Sequence, residues 1–444
     1  ESFIENCRFY SDEDGIDGTG IDDSTCIWIR HNYMANIDVD GINITGTSGN
    51  EVFDVEISGN SFNTIGDDCV YFDYVDRCII NGNSFITSTS EGIYALNSDE
   101  GIVEGNQFRD NNYGVRLDTA VYWTISHNYF YSQDNSAILG PFTYAICIGN
   151  IMLEPGARGI NATNSHYSIF IGNIIQDAVD AAVMTSGDYL VVSNNWFIDP
   201  TREGINFQGD YGLIIGNRFI GSTREDIDIG ETLFTLIIGN HFSEGGGGFP
   251  TILIAGEDGV FIVSNFQNSA THRTHFVEAT SSSNYLVIMG NFIRTNITGI
   301  EIVDSNNFFI SGNYFYYNAS NIIIDSGDDG AIVNNYFRQS TTAINLTAAA
   351  VTGCTVRGNI FDNVATPVVD SGNGTIFHDV TFYCSEADDE HGDVPGKSIT
   401  NTQLAYVGFD IGDEVNQIMK AELHIIPDAT QGAANWDLSA TYAA

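Results

Sequence analysis

Residues 65–73 read IGDDCVYFD, and the adjacent carboxylates Asp67 and Asp68 lie on a glycine turn just before an apolar-aromatic run. Paired carboxyls can work on a glycosidic bond: one protonates the leaving oxygen while the other activates water or attacks the sugar. Two more acids recur at related spacing, Asp40 in DVDGIN and Glu91 in SEGIYAL. Asn43, Tyr71, Tyr94, Tyr113, Arg116 and Arg158 add amide, aromatic and guanidinium groups of the kind that hold sugars. The run SDEDGIDGTGIDD (11–23) carries six acids, and Asp12, Asp14 and Asp17 offer oxygen ligands dense enough for Ca²⁺, at a spacing unlike the calcium-loop pattern. No other cofactor is called for.

Whether these groups meet depends on the elements that carry them, and the sequence is repetitive. The text ISGNSF at 57–62 returns as INGNSF, VEGNQF, ISHNYF, IIGNRF, IIGNHF, ISGNYF, IVNNYF and VRGNIF. Its asparagine falls at Asn32, Asn60, Asn83, Asn106, Asn128, Asn150, Asn173, Asn195, Asn217, Asn240, Asn265, Asn291, Asn313, Asn335 and Asn359, mostly 22 or 23 residues apart. Each unit holds three short runs that alternate apolar and polar with period two, the mark of strands. A three-strand coil stacked on its copies at ~4.8 Å is a parallel β-helix, and fifteen or sixteen coils predict a length on the order of 70–75 Å.

The corner fits that reading. Before the asparagine stands Gly in ten copies and His31, His127, Asn194, Ser264 or Asn334 in the others, largely residues that tolerate positive φ. His31 and His127 are therefore read as turn residues, not catalytic bases. Ten copies place Phe two residues after the asparagine, which predicts an internal aromatic stack. Over residues 1–374 this pattern resembles the right-handed parallel β-helix proteins of the pectin-lyase-like superfamily, whose asparagine ladder occupies such a turn. That resemblance implies an all-β fold and leaves function open among lyases, glycosidases, tailspikes, adhesins and surface repeats.

Counting eight residues past each asparagine gives a column of Asp40, Asp68, Glu91, Gly114, Ser136, Arg158, Ala181, Glu203 and Glu225. The outward position three residues on gives Asn43, Tyr71 and Tyr94, then Arg116 after a one-residue shift. Asp40 and Glu91, two coils apart, fall near the ~6.5–9.5 Å separation of inverting glycosidases. Asp40-Gly41 and Asp67-Asp68-Cys69 also resemble, in order and stacking, two motifs of the polygalacturonase-type glycosidases. The chain departs from that family in having Asp38-Val39 before Asp40, Ser90-Glu91-Gly92 at the histidine motif, and no Arg-x-Lys. A pectate-lyase reading needs a calcium-aspartate cluster with a nearby arginine base, residue types that Asp226 and Asp228 with Arg202 or Arg224 supply. Arg202 and Arg224 beside Glu203 and Glu225 more simply predict cross-coil ion pairs.

Acids number 58 against 15 Lys and Arg, a net charge of −43 that excludes nucleic acid and anionic membrane as partners. The balance resembles proteins of extreme halophiles, where salt at molar strength shortens the Debye length to about 3 Å and relieves self-repulsion. No apolar run nears the roughly 18 residues of a membrane span. Seven scattered cysteines read as mostly free, buried thiols rather than a disulfide framework. Six sequons (Asn43, Asn161, Asn296, Asn318, Asn345, Asn373) suit a surface exposed to glycosylation only in an exported protein.

Residues 375–398 read as a last strand and polar linker. Residues 399–444 read as a small β module for capping or trimerisation, with weak similarity to terminal modules of viral and environmental β-helix proteins. A chain that opens mid-coil at Glu1 leads us to expect upstream sequence. Together these features predict an extracellular or virion-associated homotrimer of tailspike or fibre type that recognises cell-surface polysaccharide, with Leu139, Met184, Leu253 and Ile323 on a buried face. A polysaccharide hydrolase or lyase, and a passive surface or adhesive repeat, are the alternatives.

Overall fold

The computed structural model describes residues 2–378 except 11–12, 22–24, 231, 269–272, 281–282, 295–296 and 373–374, then 380–383 and the strands Val407–Gly408, Ala421–Pro427 and Ala434–Ala440. Asp12, Asn296, Asn373, Cys384 and most of the expected linker and C-terminal module lie outside the described residues. Every described element is a strand or turn. The chain forms two compact units, Glu1–Leu236 with Asn240–Gly246, and Ile237–Gly239 with Gly247–Ala444.

In the first unit each coil has three strands, for instance Ile79–Asn81, Ser84–Ser88 and Glu91–Leu96, and each pairs in parallel with its counterpart in the next coil. Side chains alternate, so every strand sends one column inward. On the second strand that column runs Phe62, Phe85, Phe108 and Phe130, fully buried, with ring centroids 4.9, 4.8 and 4.6 Å apart. Phe197, Phe219 and Phe242 continue it further along.

The asparagines close the corner. Gly82, His127 and Asn194 take φ of 62, 53 and 54°, and the next side chain turns inside. The Oδ1 of Asn150 accepts from the backbone N–H (3.0 Å) and Nδ2 (3.1 Å) of Asn128. Its own Nδ2 donates to the Ile125 carbonyl at 2.9 Å and to Asn173 Oδ1 at 3.0 Å. One amide per coil thus satisfies donors that the turn takes out of the sheet ladder. His31 has φ of 55°, so both histidines are turn residues.

The second unit repeats this plan, with an amide ladder from Asn265 through Asn291, Asn313 and Asn335 to Asn359. Phe315, Phe337 and Phe361 stack beneath it at 4.9 and 5.2 Å. Val380–Tyr383 pairs in parallel with Ile360–Asp370 and with Val407–Gly408, and Ala421–Pro427 pairs antiparallel with Ala434–Ala440. Of the described cysteines, all six are free, and Cys69, Cys78, Cys147 and Cys354 are buried.

Candidate functional site

At the start of the third strand the residue that enters the coil sits directly over a phenylalanine ring. A Cβ on Gly41 would lie 2.7 Å from Phe62, and one on Gly92 would lie 2.6 Å from Phe108, so only small residues fit there. The carboxylate just before is drawn in with the corner. Asp40, Asp68 and Glu91 are 6, 4 and 3% exposed, far more buried than a surface row. Each donates its backbone N–H to the aspartate of the coil before. Asp14 Oδ1 accepts from Asp40 N–H at 3.0 Å, Asp40 Oδ1 from Asp68 N–H at 3.0 Å, and Asp68 Oδ1 from Glu91 N–H at 2.8 Å. Asp67 alone of the pair stays exposed on the turn.

Burial dominates the electrostatics of this column. It pushes the Asp40 carboxyl up to about 6, against the Asp68 N–H bond and with help from the charges of Asp67, Asp14 and Glu91. Asp68 is driven well above the usual carboxylate range, first by burial and then by its side-chain hydrogen bond to Glu91 and that residue's charge. Asp68 and Glu91 thus share a side-chain hydrogen bond that favours the protonated form of Asp68. Its carboxyl fills the space between Asp40 and Glu91 that an inverting mechanism would leave for water.

Outside this column, Asn43, Tyr71, Tyr94 and Arg116 align in one register row, half-exposed. Glu91 pairs with Tyr113, not Gly114, because that coil reaches the column one residue early. Arg116 is held at three points. Its Nη1 meets Glu91 Oε1 at 3.1 Å, its Nη2 meets Asp118 Oδ2 at 2.8 Å, and its guanidinium lies 4.7 Å from the centre of the Tyr94 ring. The Tyr94 hydroxyl donates to Asp118 at 3.0 Å, and burial plus that bond push it up to about 12. Tyr71 meets Tyr94 edge-on at 5.5 Å, and Tyr113 accepts from Asn135 Nδ2 at 2.8 Å.

Arg158 stands apart from this group and pairs with Asp180 at 2.6 Å. That pair opens an alternating chain: Asp180 to Arg202 (2.9 Å), Arg202 to Glu203 (3.2 Å), Glu203 to Arg224 (2.9 Å) and Arg224 to Glu225 (3.4 Å). Burial works against the Arg202 charge, but Glu203 and Asp180 carry it above its ordinary value, the wrong direction for a lyase base. Asp228, with Asp226 a calcium ligand in that reading, is pushed up to about 6 by burial and by Glu225 and Glu203. Asp17 turns to Thr19, accepting from its backbone N–H at 2.9 Å and its hydroxyl at 2.5 Å, while Asp14 serves Asp40. Among the described residues no three His, Cys, Asp or Glu gather in a geometry that holds a metal.

Residues 40–242 match the family model of the right handed beta helix region. The fold is a right-handed parallel β-helix. Among solved structures this β-helix is similar to Geobacillus virus E2 ORF18, at 13% identity and a TM-score of 0.44 over 60% of this chain and 54% of that one. It is also similar to PfbA, a surface adhesin of Streptococcus pneumoniae, at 11% identity and 0.40 over 79% and 85% of the two chains. A third is tailspike protein 3 of bacteriophage CBA120, at 13% and 0.40 over 85% and 61%. The chain thus spans about half the length of the Geobacillus virus protein. A comparison with curated proteins finds no match.

Two features of the β-helix escape a reading of motifs. In the second unit His275 lies between Glu278 (Nδ1 to Oε2, 3.1 Å) and Glu301 (Nε2 to Oε2, 2.5 Å). Burial would lower its pKa, but the two carboxylates outweigh burial and raise it to about 9. A raised histidine stabilises below its unfolded value near 6.5 and loses that contribution as pH rises through about 9. His275→Gln is therefore expected to lower stability by about 1–2 kcal/mol at pH 6 and to match the wild type above pH 10, read from denaturant midpoints. Equal losses at both pH values would mean that His275 acts through packing alone. The spacing His-x-x-Glu with a second Glu 23 residues on is the available signal. The other feature is an exposed ladder of aromatic rings, one per coil, six residues before each asparagine from Asn128 to Asn240.

Proposed function

We propose that this β-helix is an extracellular or virion-borne protein that recognises a cell-surface polysaccharide on the face carrying Asn43, Tyr71, Tyr94 and Arg116, and that it works at high salt. The observation that carries this reading is the Tyr94–Arg116–Asp118 cluster: a guanidinium fixed by two carboxylates and stacked on a half-exposed phenol ring. Sugar hydroxyls and carboxylates are met by such a fixed fork of donors with little ordering left to do. In this reading Asp40, Asp68 and Glu91 form the floor of the surface, with Asp67 and Tyr113 at its edge.

A hydrolase is the second reading, favoured by one feature: burial and the neighbouring Glu91 raise the Asp68 carboxyl well above the usual carboxylate range, the direction a general acid needs. Against it stand the burial of all three carboxyls and their commitment, Asp40 and Asp68 to backbone N–H groups and Glu91 to Arg116.

Retention of the protein on immobilised acidic and neutral polysaccharides at molar salt tests the proposal. Tyr94→Ala and Arg116→Lys are each expected to weaken retention at least tenfold while thermal midpoints stay close to wild type. The lysine keeps a charge against Glu91 but lacks the planar fork. Unchanged retention in both variants would move the binding surface elsewhere.

A further inference from the structure

The exposed ladder in the first unit comprises Tyr122, Tyr144, Tyr167, Tyr189, Tyr211 and Phe234, each 44–55% exposed. Successive rings are near-parallel, with centroids 4.8–5.7 Å apart. All six residues have φ between 53 and 61°. Bulky side chains rarely adopt that backbone, at a cost of roughly 1–2 kcal/mol each. The turn does not ask for them, since the same position elsewhere holds Asp54, Arg77 and Glu100, or Gly259, Asn307, Asp329 and Gly353, with a lone Tyr285 among them. Stacking between neighbours returns roughly 0.5–1.5 kcal/mol for each of the five pairs, less than the six backbones cost.

The adjoining strand faces are as unusual. The outward side chains that reach the surface from the first strand over the same coils are Thr124, Ile146, Ile148, Ile169, Ile171, Val191, Leu213, Ile215 and Leu236, with no charge among them. Past the corner, Tyr129, Ile151 and Trp196 are exposed as well. In a chain of net charge −43 the first-strand face is a charge-free surface six coils long, roughly 25 Å by 10 Å, whereas past the corner the row is broken by Arg218, which follows Trp196 and lies 5.0 Å from its ring. With the ladder beside it, the face reaches the few hundred Å² of the largest apolar patch on an ordinary monomer, a patch that is often functional. Asp188, Asp210 and His166 flank the ladder without entering it.

Two arguments identify what covers it. The ring faces are spent on one another, so only ring edges are offered, whereas a sugar stacks on a face. And a like-charged copy can approach this chain closely only where charge is missing, with a rung spacing that matches because it is the same spacing. We infer that the tyrosine ladder and the first-strand face of residues 122–236 form a homotypic interface, covered by the same face of a second copy of the chain. The third-strand positions Leu139 and Met184, expected in the sequence to be buried this way, are half-buried in a row that also holds Asn161, Asn206 and Asp228, a poorer surface for self-association.

Light scattering on the size-fractionated full chain, at 0.1 M and 2 M KCl, tests this. Multimers are expected to strengthen with salt, because screening removes the repulsion but not the apolar contact. Tyr189→Asp and Ile169→Glu should each raise the dissociation constant at least tenfold at 2 M KCl with unchanged far-UV circular dichroism, while Met184→Asp leaves assembly intact. The inference fails if the wild type is monomeric at every salt and concentration, or if Met184→Asp dissociates it while Ile169→Glu and Tyr189→Asp do not. Polysaccharide retention of the Ile169→Glu monomer separates this result from that of the binding face.

Discussion

Asn150→Ala is expected to lower the stability of the first unit by about 4 kcal/mol. The substitution removes an acceptor used by two donors of Asn128 and a donor used by Ile125 and Asn173, all in a dry corner. Each buried polar group left unpaired costs roughly 1–3 kcal/mol, and alanine provides no replacement. The change is read from the denaturant midpoint and from amide exchange at Asn128, whose N–H loses its partner. Asn161→Ala, on the outward row, is the control and should cost under about 1 kcal/mol. Equal losses at the two sites would mean that the ladder contributes packing and not hydrogen bonds.

Asp68→Asn is expected to stabilise the protein increasingly as pH rises. A carboxyl whose folded pKa lies above its unfolded value keeps its proton in the folded chain while the unfolded chain has released it. Between the two values the folded state binds more protons, so stability falls as pH rises. For Asp40 that window runs from about 4 to about 6, and for Asp68 it extends further up. Asparagine keeps the Oδ1 acceptor for Glu91 N–H, and its amide can keep the side-chain hydrogen bond with Glu91. It carries no titration, so the gap between variant and wild type should widen by about 1.4 kcal/mol per pH unit from pH 4 to pH 6. Denaturant midpoints at pH 4, 5 and 6 and fixed salt decide it, and parallel curves would place the Asp68 carboxyl near its ordinary value.

These two sites show what a single sequence exposes. The asparagine ladder is legible because a turn at positive φ admits few residue types and the Phe two positions on must point inward. The carboxylate column is legible as a column, apart from Tyr113 standing where Gly114 was counted. Its burial is not legible, since inward–outward alternation holds within strands and these acids sit at a corner. What draws them in is the small residue that follows each of them, Gly41, Cys69 or Gly92, which neighbours in sequence do not reveal. The tyrosine ladder lies on a turn whose backbone points to Gly, Asn or Asp, so aromatic rings there contradict the rule by which turns are recognised. His275 draws its charge partner Glu301 from the next coil, and only the register brings them together.

The central claim is that the face around Tyr94 and Arg116 binds polysaccharide without cleaving it. Incubation with acidic polysaccharides and cell-envelope glycans at molar salt, scoring bound protein, new reducing ends and new unsaturated ends in one sample, tests it most directly. The account predicts retention that depends on Tyr94 and Arg116 with neither kind of new end. Reducing ends that accumulate with the wild type and vanish with Asp68→Asn would contradict it and make the buried carboxyl column a hydrolase centre.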